Sequence, residues 1–115
     1  MVGMLTFVLK KLLVGGAVGA ALVGPEGEVL GQAGGADWDG AAPLIHGAAS
    51  SWDRLAGGLE TERYGGAIVE GTGGSLLVMP IEDGSVLAVL LGPGANQGRV
   101  RYEMKKNIEL ITSVV

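Results

Sequence analysis

Apolar residues recur along the chain at two different periods, and each period predicts a type of element. Spacings of three and four residues, as in Met4, Val8 and Leu12, predict amphipathic helices. Short apolar runs bounded by glycine, such as Ala17–Val23, predict buried strands. The predicted helices cover residues 2–13, residues 41–59 and a final segment after a loop at 92–97. The predicted strands cover residues 17–23, 28–31, 64–70, 75–81 and 85–91.

Turn and capping residues set the boundaries of these elements. The double glycine at 15–16 ends the first helix, and Asp37 or Asp39 can cap the second. Pro43 is tolerated only close to a helix start, which places that start near residue 40. The final helix is predicted to carry an apolar stripe of Val100, Met104, Ile108, Ile111 and Val115.

The order helix–strand–strand–helix–strand–strand–strand–helix predicts an α+β fold. Short connections between successive strands, including an Asp83–Gly84 hairpin turn, make neighbouring strands antiparallel. We therefore expect one antiparallel sheet with the helices packed on it. A length of 115 residues leaves room for one core, so residues 1–115 are predicted to form a single domain.

Residues 1–24 are the only candidate for a segment that spans a membrane or directs the chain to one. Lys10 and Lys11 divide them into apolar pieces that are shorter than a spanning helix requires, so we expect no stable membrane insertion. A short helix followed by a buried strand is the first interpretation. A signal peptide, with the two lysines as its basic region, is the alternative, and it would make the protein a secreted one.

Composition excludes several kinds of site. The chain has no Cys and one His, which excludes disulfides, thiol catalysis and Cys-based metal centres. Its 22 glycines match neither of the phosphate-binding motifs, and Asp37 and Asp39 fit a helix cap better than a metal site. A net charge of -4 argues against a nucleic-acid partner. We predict no catalytic residue, no metal and no cofactor.

The charges are distributed unevenly. Residues 26–83 carry ten acidic and two basic side chains, a local charge of -8. The final helix holds Arg99, Arg101, Lys105 and Lys106 against two glutamates. This basic side is either a solvated face or a docking surface for an acidic partner.

The second helix and the strand that follows it are the candidate interaction surfaces. Both tryptophans lie in or beside this helix, whose alanine-rich face is wide enough to pack on a second body as well as on the sheet, although both indoles could simply be core. The strand at 64–70 lacks Lys and Pro, so at a sheet edge it would be poorly protected against pairing with another chain. The predicted interface residues are Trp38, Ile45, Ala48, Ala49 and Trp52 on the helix and Ala67, Ile68 and Val69 on the strand.

Two segments resemble the Roadblock (dynein light chain) family, in particular its bacterial MglB-like branch. They are GGAVGAALVGPEGEVLG at 15–31 and GGAIVEGTGGSLLVMPIEDGSVLAVLL at 65–91, separated by the Ala-rich helix and followed by a basic one. The resemblance implies a five-stranded antiparallel sheet in an α/β/α arrangement, with the first and last helices on one face and the middle helix on the other. It also implies a homodimer that joins third strands and middle helices.

The resemblance further implies a function. Bacterial and archaeal members commonly bind a small Ras-like GTPase and alter its hydrolysis or exchange without donating an arginine finger, and other members are assembly platforms. We therefore expect a cytoplasmic, non-enzymatic homodimer that acts as a GTPase-activating or scaffolding protein in signalling. The alternatives are a purely structural platform and a profilin-like ligand-sensing domain, for which His46 and Tyr64 are the few polar candidates.

Overall fold

The computed structural model describes residues 2–115, and within them the elements follow the predicted order. The helices are α1 (Val2–Lys10), α2 (Trp38–Gly58) and α3 (Gln97–Ser113). The strands are β1 (Ala17–Val23), β2 (Val29–Gly34), β3 (Ala67–Gly71), β4 (Gly74–Pro80) and β5 (Val86–Leu91). None of the helices in this part of the chain has both the length and the apolar character needed to cross a bilayer.

The strands form one antiparallel sheet in the order β2–β1–β5–β4–β3. Strand β1 pairs with β2 on one side and with β5 on the other, so that Ala20 lies opposite both Ala33 and Val89. The first and last strands of the chain are therefore neighbours in the interior of the sheet. The two edges are β2 and β3, which confirms that the strand flagged in the sequence lies at an edge.

The helices cover the sheet on both faces, and the layers are those that the family resemblance implies. Helices α1 and α3 share one core with alternate residues of the strands, including Leu22, Leu87 and Val89. Helix α2 forms the second core on the opposite face with Ala21, Val78, Ala88 and their neighbours. Successive residues of β5 point to opposite faces because side chains alternate along a strand, so a single strand serves both cores.

Helix α2 starts two residues earlier than predicted. Asp37 is its N-cap, since the Asp37 carboxylate accepts a hydrogen bond of 3.1 Å from the Gly40 amide. The earlier start places Pro43 in the second turn, where its missing N–H leaves one carbonyl of the first turn without its helical donor. Trp38 therefore becomes the first helical residue, and its indole is buried against the sheet.

Strand β2 was predicted at 28–31 but runs from Val29 to Gly34. Its second half pairs with β1, with Ala33 opposite Ala20 and Gly34 opposite Gly19. Glycine and alanine have low strand propensity, so this segment was expected to be a loop. The ladder to β1 and the cover of α1 override that propensity.

Three further boundaries differ from the sequence-based expectation. Helix α1 ends at Lys10 rather than at residue 13, and the chain leaves it through tight turns in which the Lys11 and Leu12 amides donate to carbonyls three residues earlier. Strand β3 starts at Ala67 rather than at residue 64. Helix α3 ends at Ser113, so Val115 lies beyond it and is exposed, whereas the rest of the predicted stripe faces the core.

Candidate interaction surface

One side of α2 packs against the sheet of the same chain. Trp38, Ile45 and Ala49, which were predicted as interface residues, are almost fully buried and pack against the sheet. Their spacing of seven and four residues places them on one stripe of the helix, as expected for a core-facing side. In the single chain their side chains are part of the core, so any direct contact with a second body involves other residues of α2.

The neighbouring side of α2 carries an apolar stripe that no other part of residues 2–115 covers. Leu44 is 76% exposed and Leu55 is 59% exposed, although both are large aliphatic residues of a regular helix. The half-buried Ala48 and the exposed Ser51 lie between them, at intervals of four, three and four residues. This spacing aligns the four side chains along the helix. We call Leu44, Ala48, Ser51 and Leu55 the α2 stripe.

The α2 stripe has the composition of a helix–helix contact. Small residues at its centre allow another helix to approach closely, and leucines at its ends supply apolar area. Sequence reasoning named Ala48 as an interface residue but neither leucine, because it treated α2 as having one broad apolar face, which included Leu55. The structure divides that face between the core and the α2 stripe. The leucines could have been found from their 4-3-4 spacing with the two small residues.

Strand β3 is an edge strand with exposed β-branched side chains. Ile68 is 43% exposed and Val69 is 51% exposed, while Ala67 packs partly against the α2 core. Ile68 lies opposite Leu77, on the α3 side of the sheet, and Val69 lies opposite Leu76, on the α2 side. One edge of β3 therefore offers unpaired backbone N–H and C=O groups with apolar side chains on both faces.

An apolar groove lies beside this edge on the α2 side of the sheet. It has a volume of about 540 Å³ and is lined mainly by Val18, Val69, Leu76 and Leu90. Leu76 and Leu90 belong to the margin of the α2 core, so the groove marks the part of that sheet face which α2 leaves open. We call this groove the sheet groove and the outer side of Ala67–Gly71 the β3 edge. The sheet groove and the α2 stripe are uncovered apolar features on the α2 side of the sheet, and the β3 edge is a third at its margin.

Aromatic and charged contacts fix the segment that leads from α2 to β3. The rings of Trp52 and Tyr64 are 5.8 Å apart with an interplanar angle of 58°, a tilted arrangement that is favourable for aromatic pairs. Arg63 Nε lies 3.5 Å from a carboxylate oxygen of Asp53, an exposed pair of small energetic value. Burial, and secondarily the negative charge of Asp53, raises the pKa of Tyr64, with Arg63 opposing.

His46 and Tyr64, the polar candidates for a ligand-sensing site, line one small cavity between α2 and the turns of the sheet. Its volume is about 220 Å³, and the buried Ser85 hydroxyl at its wall has no hydrogen-bond partner in the part of the chain that the structure describes. Pockets for drug-sized ligands usually measure about 300–1,000 Å³. The cavity is therefore smaller than a typical ligand site, and the exposed apolar features are the more prominent candidate. Among residues 2–115, no three His, Cys, Asp or Glu side chains lie close enough together to hold a metal ion.

Residues 4–91 match the model of the Roadblock/LC7 domain, and this segment makes up more than half of the chain. The chain belongs to the Roadblock/LC7 family. Among curated protein sequences none matches it. Solved structures of this family have the same architecture, and the bacterial MglB-like branch that the sequence resembles is represented among them.

Three of the similar structures come from bacteria. MglB of Myxococcus xanthus superimposes with a TM-score of 0.88 at 23% identity, over 97% of this chain and 87% of that one. The gliding protein MglB of Thermus thermophilus has a TM-score of 0.86 at 24% identity, over 96% and 87% of the two chains. A Roadblock/LC7 domain of Streptomyces avermitilis has a TM-score of 0.79 at 25% identity, over 94% of each chain. At these identities the similarity to the two MglB proteins shows a shared fold.

Proposed function

We propose that this Roadblock/LC7 domain is a cytoplasmic, non-enzymatic homodimer that binds a small Ras-like GTPase and regulates or scaffolds it. The observation that carries the dimer is the presence of the α2 stripe, the sheet groove and the β3 edge as uncovered apolar features on the α2 side of the sheet and at its margin. Family membership supports the GTPase as partner, because bacterial members of the resembled branch commonly act on such proteins.

The dimer would form by pairing two β3 strands across a two-fold axis perpendicular to the sheet. That axis makes the interface isologous, continues the sheet from one protomer into its partner, and keeps both α2 helices on the same face. The two α2 stripes would then pack on each other above the sheet grooves. Trp38, Ile45 and Ala49 would support this contact from beneath by holding α2 on the sheet, while Ala48, Trp52, Ala67, Ile68 and Val69 would lie at or beside it.

Regulation would arise from binding. A dimer that prefers one nucleotide state of the GTPase shifts the population of that partner toward the state it binds. No residue of the surface described above needs to take part in the chemistry of hydrolysis. The partner's own active site would supply that chemistry, whether the result is activation, exchange or assembly.

The dimer is tested by light scattering of purified variants. Val69→Lys places a charge at the proposed strand junction, Ile68→Pro removes a backbone donor there, and Leu55→Glu places a charge on the α2 stripe; we expect all three to be monomers. Gln32→Lys is the matched control, because Gln32 is an exposed residue of the other edge strand, and it should remain dimeric. Far-UV circular dichroism verifies that each variant is folded. A dimer unchanged by Val69→Lys and Leu55→Glu would refute this interface.

The partner is tested by capture on the immobilised wild-type domain, with lysate loaded separately with GDP and with a non-hydrolysable GTP analogue. We expect a small GTPase to be retained in one nucleotide state more than in the other, and its hydrolysis or exchange rate to change when the purified domain is added. Recovery of the domain alone, in both nucleotide states, would instead favour the structural assembly platform.

A further inference from the structure

Positive charge is concentrated on the outer surface of the α1/α3 layer, on the face of the sheet opposite α2. Six of the eight basic residues of the chain lie on or directly after these two helices, and all six are exposed: Lys10, Lys11, Arg99, Arg101, Lys105 and Lys106. The same two helices carry two acidic residues, Glu103 and Glu109, so the layer has a charge of +4. The rest of the chain has a charge of -8.

Apolar side chains project from the same outer surface. Met4 and Phe7 on α1 and Leu110 on α3 are exposed, Phe7 by 58%, although the opposite sides of both helices are fully buried in the core. The Lys11 ammonium lies 5.2 Å from the centre of the Phe7 ring, so a basic and an apolar group share one site on the surface.

The two helices lie side by side and antiparallel. Met4 at the start of α1 lines a groove of about 620 Å³ together with Val114 and Val115 at the end of α3. At the other end, the backbone N–H of Asn96, the N-cap residue of α3, donates a 2.7 Å hydrogen bond to the carbonyl of Gly15, which follows α1. This arrangement gives a broad outer face built from two amphipathic helices, with apolar groups near one end and lysines along both.

We propose that the outer face of the α1/α3 layer binds an anionic lipid surface peripherally. Helices that lie in a membrane interface carry Lys and Arg together with Phe, Trp or Leu, and the outer face of the α1/α3 layer presents Lys, Phe, Met and Leu together. The negative potential of an anionic leaflet attracts each basic residue close to it. Because the apolar side chains project outward from a helical layer, they suit insertion between headgroups better than contact with a flat acidic protein surface.

The negative charge carried on the α2 side lies too far from the outer face of the α1/α3 layer to cancel this attraction. Screening at physiological ionic strength has a length of about 8 Å, whereas the shortest extent of the molecule is 27 Å. Acidic side chains on the α2 side are thus more than two screening lengths from a membrane that touches the α1/α3 layer. Their repulsion is strongly attenuated there, while the lysines lie at the surface itself.

The proposed dimer would strengthen the binding without being required for it. If both α2 helices lie on one face of a continuous sheet, both α1/α3 layers lie together on the other, and two basic faces meet one membrane. This added avidity rests on the proposed function. A monomeric variant, such as Val69→Lys, should therefore bind more weakly than the wild type but still prefer anionic vesicles.

The test is flotation of the full chain with phosphatidylcholine vesicles, with and without phosphatidylserine. We expect binding to the anionic vesicles only, lost at high salt. Lys10→Glu/Lys106→Glu should lower the partition coefficient by about 25-fold or more, since each lysine contributes about fivefold. Arg54→Glu/Arg63→Glu is the matched control, with the same change in net charge outside the layer, and should bind at least half as well as the wild type. Phe7→Ser should weaken binding while keeping its salt dependence.

Three results would overturn the proposal. One is the absence of binding to anionic vesicles by a dimer that light scattering shows to be intact. Another is an equal loss in the two double variants, which would indicate a net-charge effect. The third is binding of soluble polyglutamate but not of phosphatidylserine vesicles, which would assign the layer to an acidic protein. A monomeric wild type that still binds anionic vesicles in a Lys10- and Lys106-dependent way would refute the dimer and support the membrane face.

Discussion

The two edge strands of the sheet, β2 and β3, differ in how far helices cover them. Strand β2 lies beneath α1 and beside the start of α2, and its two buried residues, Gly31 and Ala33, are small. A side chain at Gly31 would collide with Leu5 of α1, which shows how closely the helix approaches. Strand β3 instead carries Ile68 and Val69, and no helix covers them.

The difference separates an edge strand that packs within the chain, β2, from one whose large side chains stay exposed, β3. Helix α1 packs on the face of β2 that carries Gly31 and Ala33, and these two residues are buried within the chain. The large β-branched residues of β3 would suit a buried sheet face, yet about half of each is exposed. We infer that the β3 side is built for burial against a second body. The following changes test that contrast, starting with the largest expected effect.

Leu9→Ala should have the largest effect, because it leaves a cavity in the core beneath α1, the helix that covers β2. Leu9 is fully buried among the residues of the α1/α3 core. Truncation of a buried leucine to alanine costs about 2–5 kcal/mol of unfolding free energy. Chemical denaturation of the purified variant measures this loss.

Ile68→Ala on β3 is the matched change at the open edge. Measured in a monomeric Val69→Lys background, it should lower the unfolding free energy by about 0.5 kcal/mol or less, as for exposed positions generally. Similar losses for the two truncations would mean that β3 is as well packed as β2, and the contrast between the edges would be wrong.

Most of the strands could be predicted from the sequence, but the full extent of the edge strand β2 could not. The continuous apolar run from Val86 to Leu91 and the turn residues at 83–84 predicted the inner strands, because burial on two faces and hairpin chemistry are local signals. The extension of β2 through Gln32–Ala33–Gly34 escaped prediction. Pairing with β1 is a tertiary effect, and the propensities of Gly and Ala alone argue against a strand there.

The candidate surface was predicted in part for a related reason. The lack of Lys and Pro in β3 predicted that this strand would be unprotected if it lay at an edge, and in the structure it does lie at one. Trp38, Ile45 and Ala49 proved to face this chain's own sheet, while Leu44 and Leu55 are exposed. Periodicity identifies the apolar sides of a helix but does not show which side the sheet occupies. Only the register of α2 on β1 and β5 decides that.

Alanine substitutions of two glycines should give effects of opposite sign. Gly31→Ala on β2 places a Cβ 2.6 Å from a methyl group of Leu5, so we expect a loss of about 1–3 kcal/mol from overpacking. Gly65→Ala, just before β3, meets no atom within 4 Å, and Gly65 has no positive φ. It should stabilise the fold by about 0.4–1 kcal/mol by restricting the unfolded chain. Thermal denaturation measures both, and a loss in Gly65→Ala would show that the β3 side is more constrained than we infer.

The smallest effect concerns Tyr64, which holds the segment leading into β3 against Trp52. Burial, with a smaller contribution from Asp53, raises the pKa of the Tyr64 phenol above its ordinary value of 10.0. The folded state therefore favours the neutral phenol. Its contribution to stability is fully present below pH 10.0 and is lost as the pH rises through the folded-state pKa.

Tyr64→Phe removes this titration and leaves the ring contact with Trp52 in place. We expect the denaturation midpoint of the wild type to fall more steeply above about pH 10 than that of Tyr64→Phe, with little difference near neutrality. Other groups titrate equally in both proteins, so the difference between the two curves isolates Tyr64. Asp53→Asn should reduce the difference only slightly, because burial is the larger cause. Parallel curves for wild type and Tyr64→Phe would mean that the phenol is solvated and that the approach to β3 is as open as the strand itself.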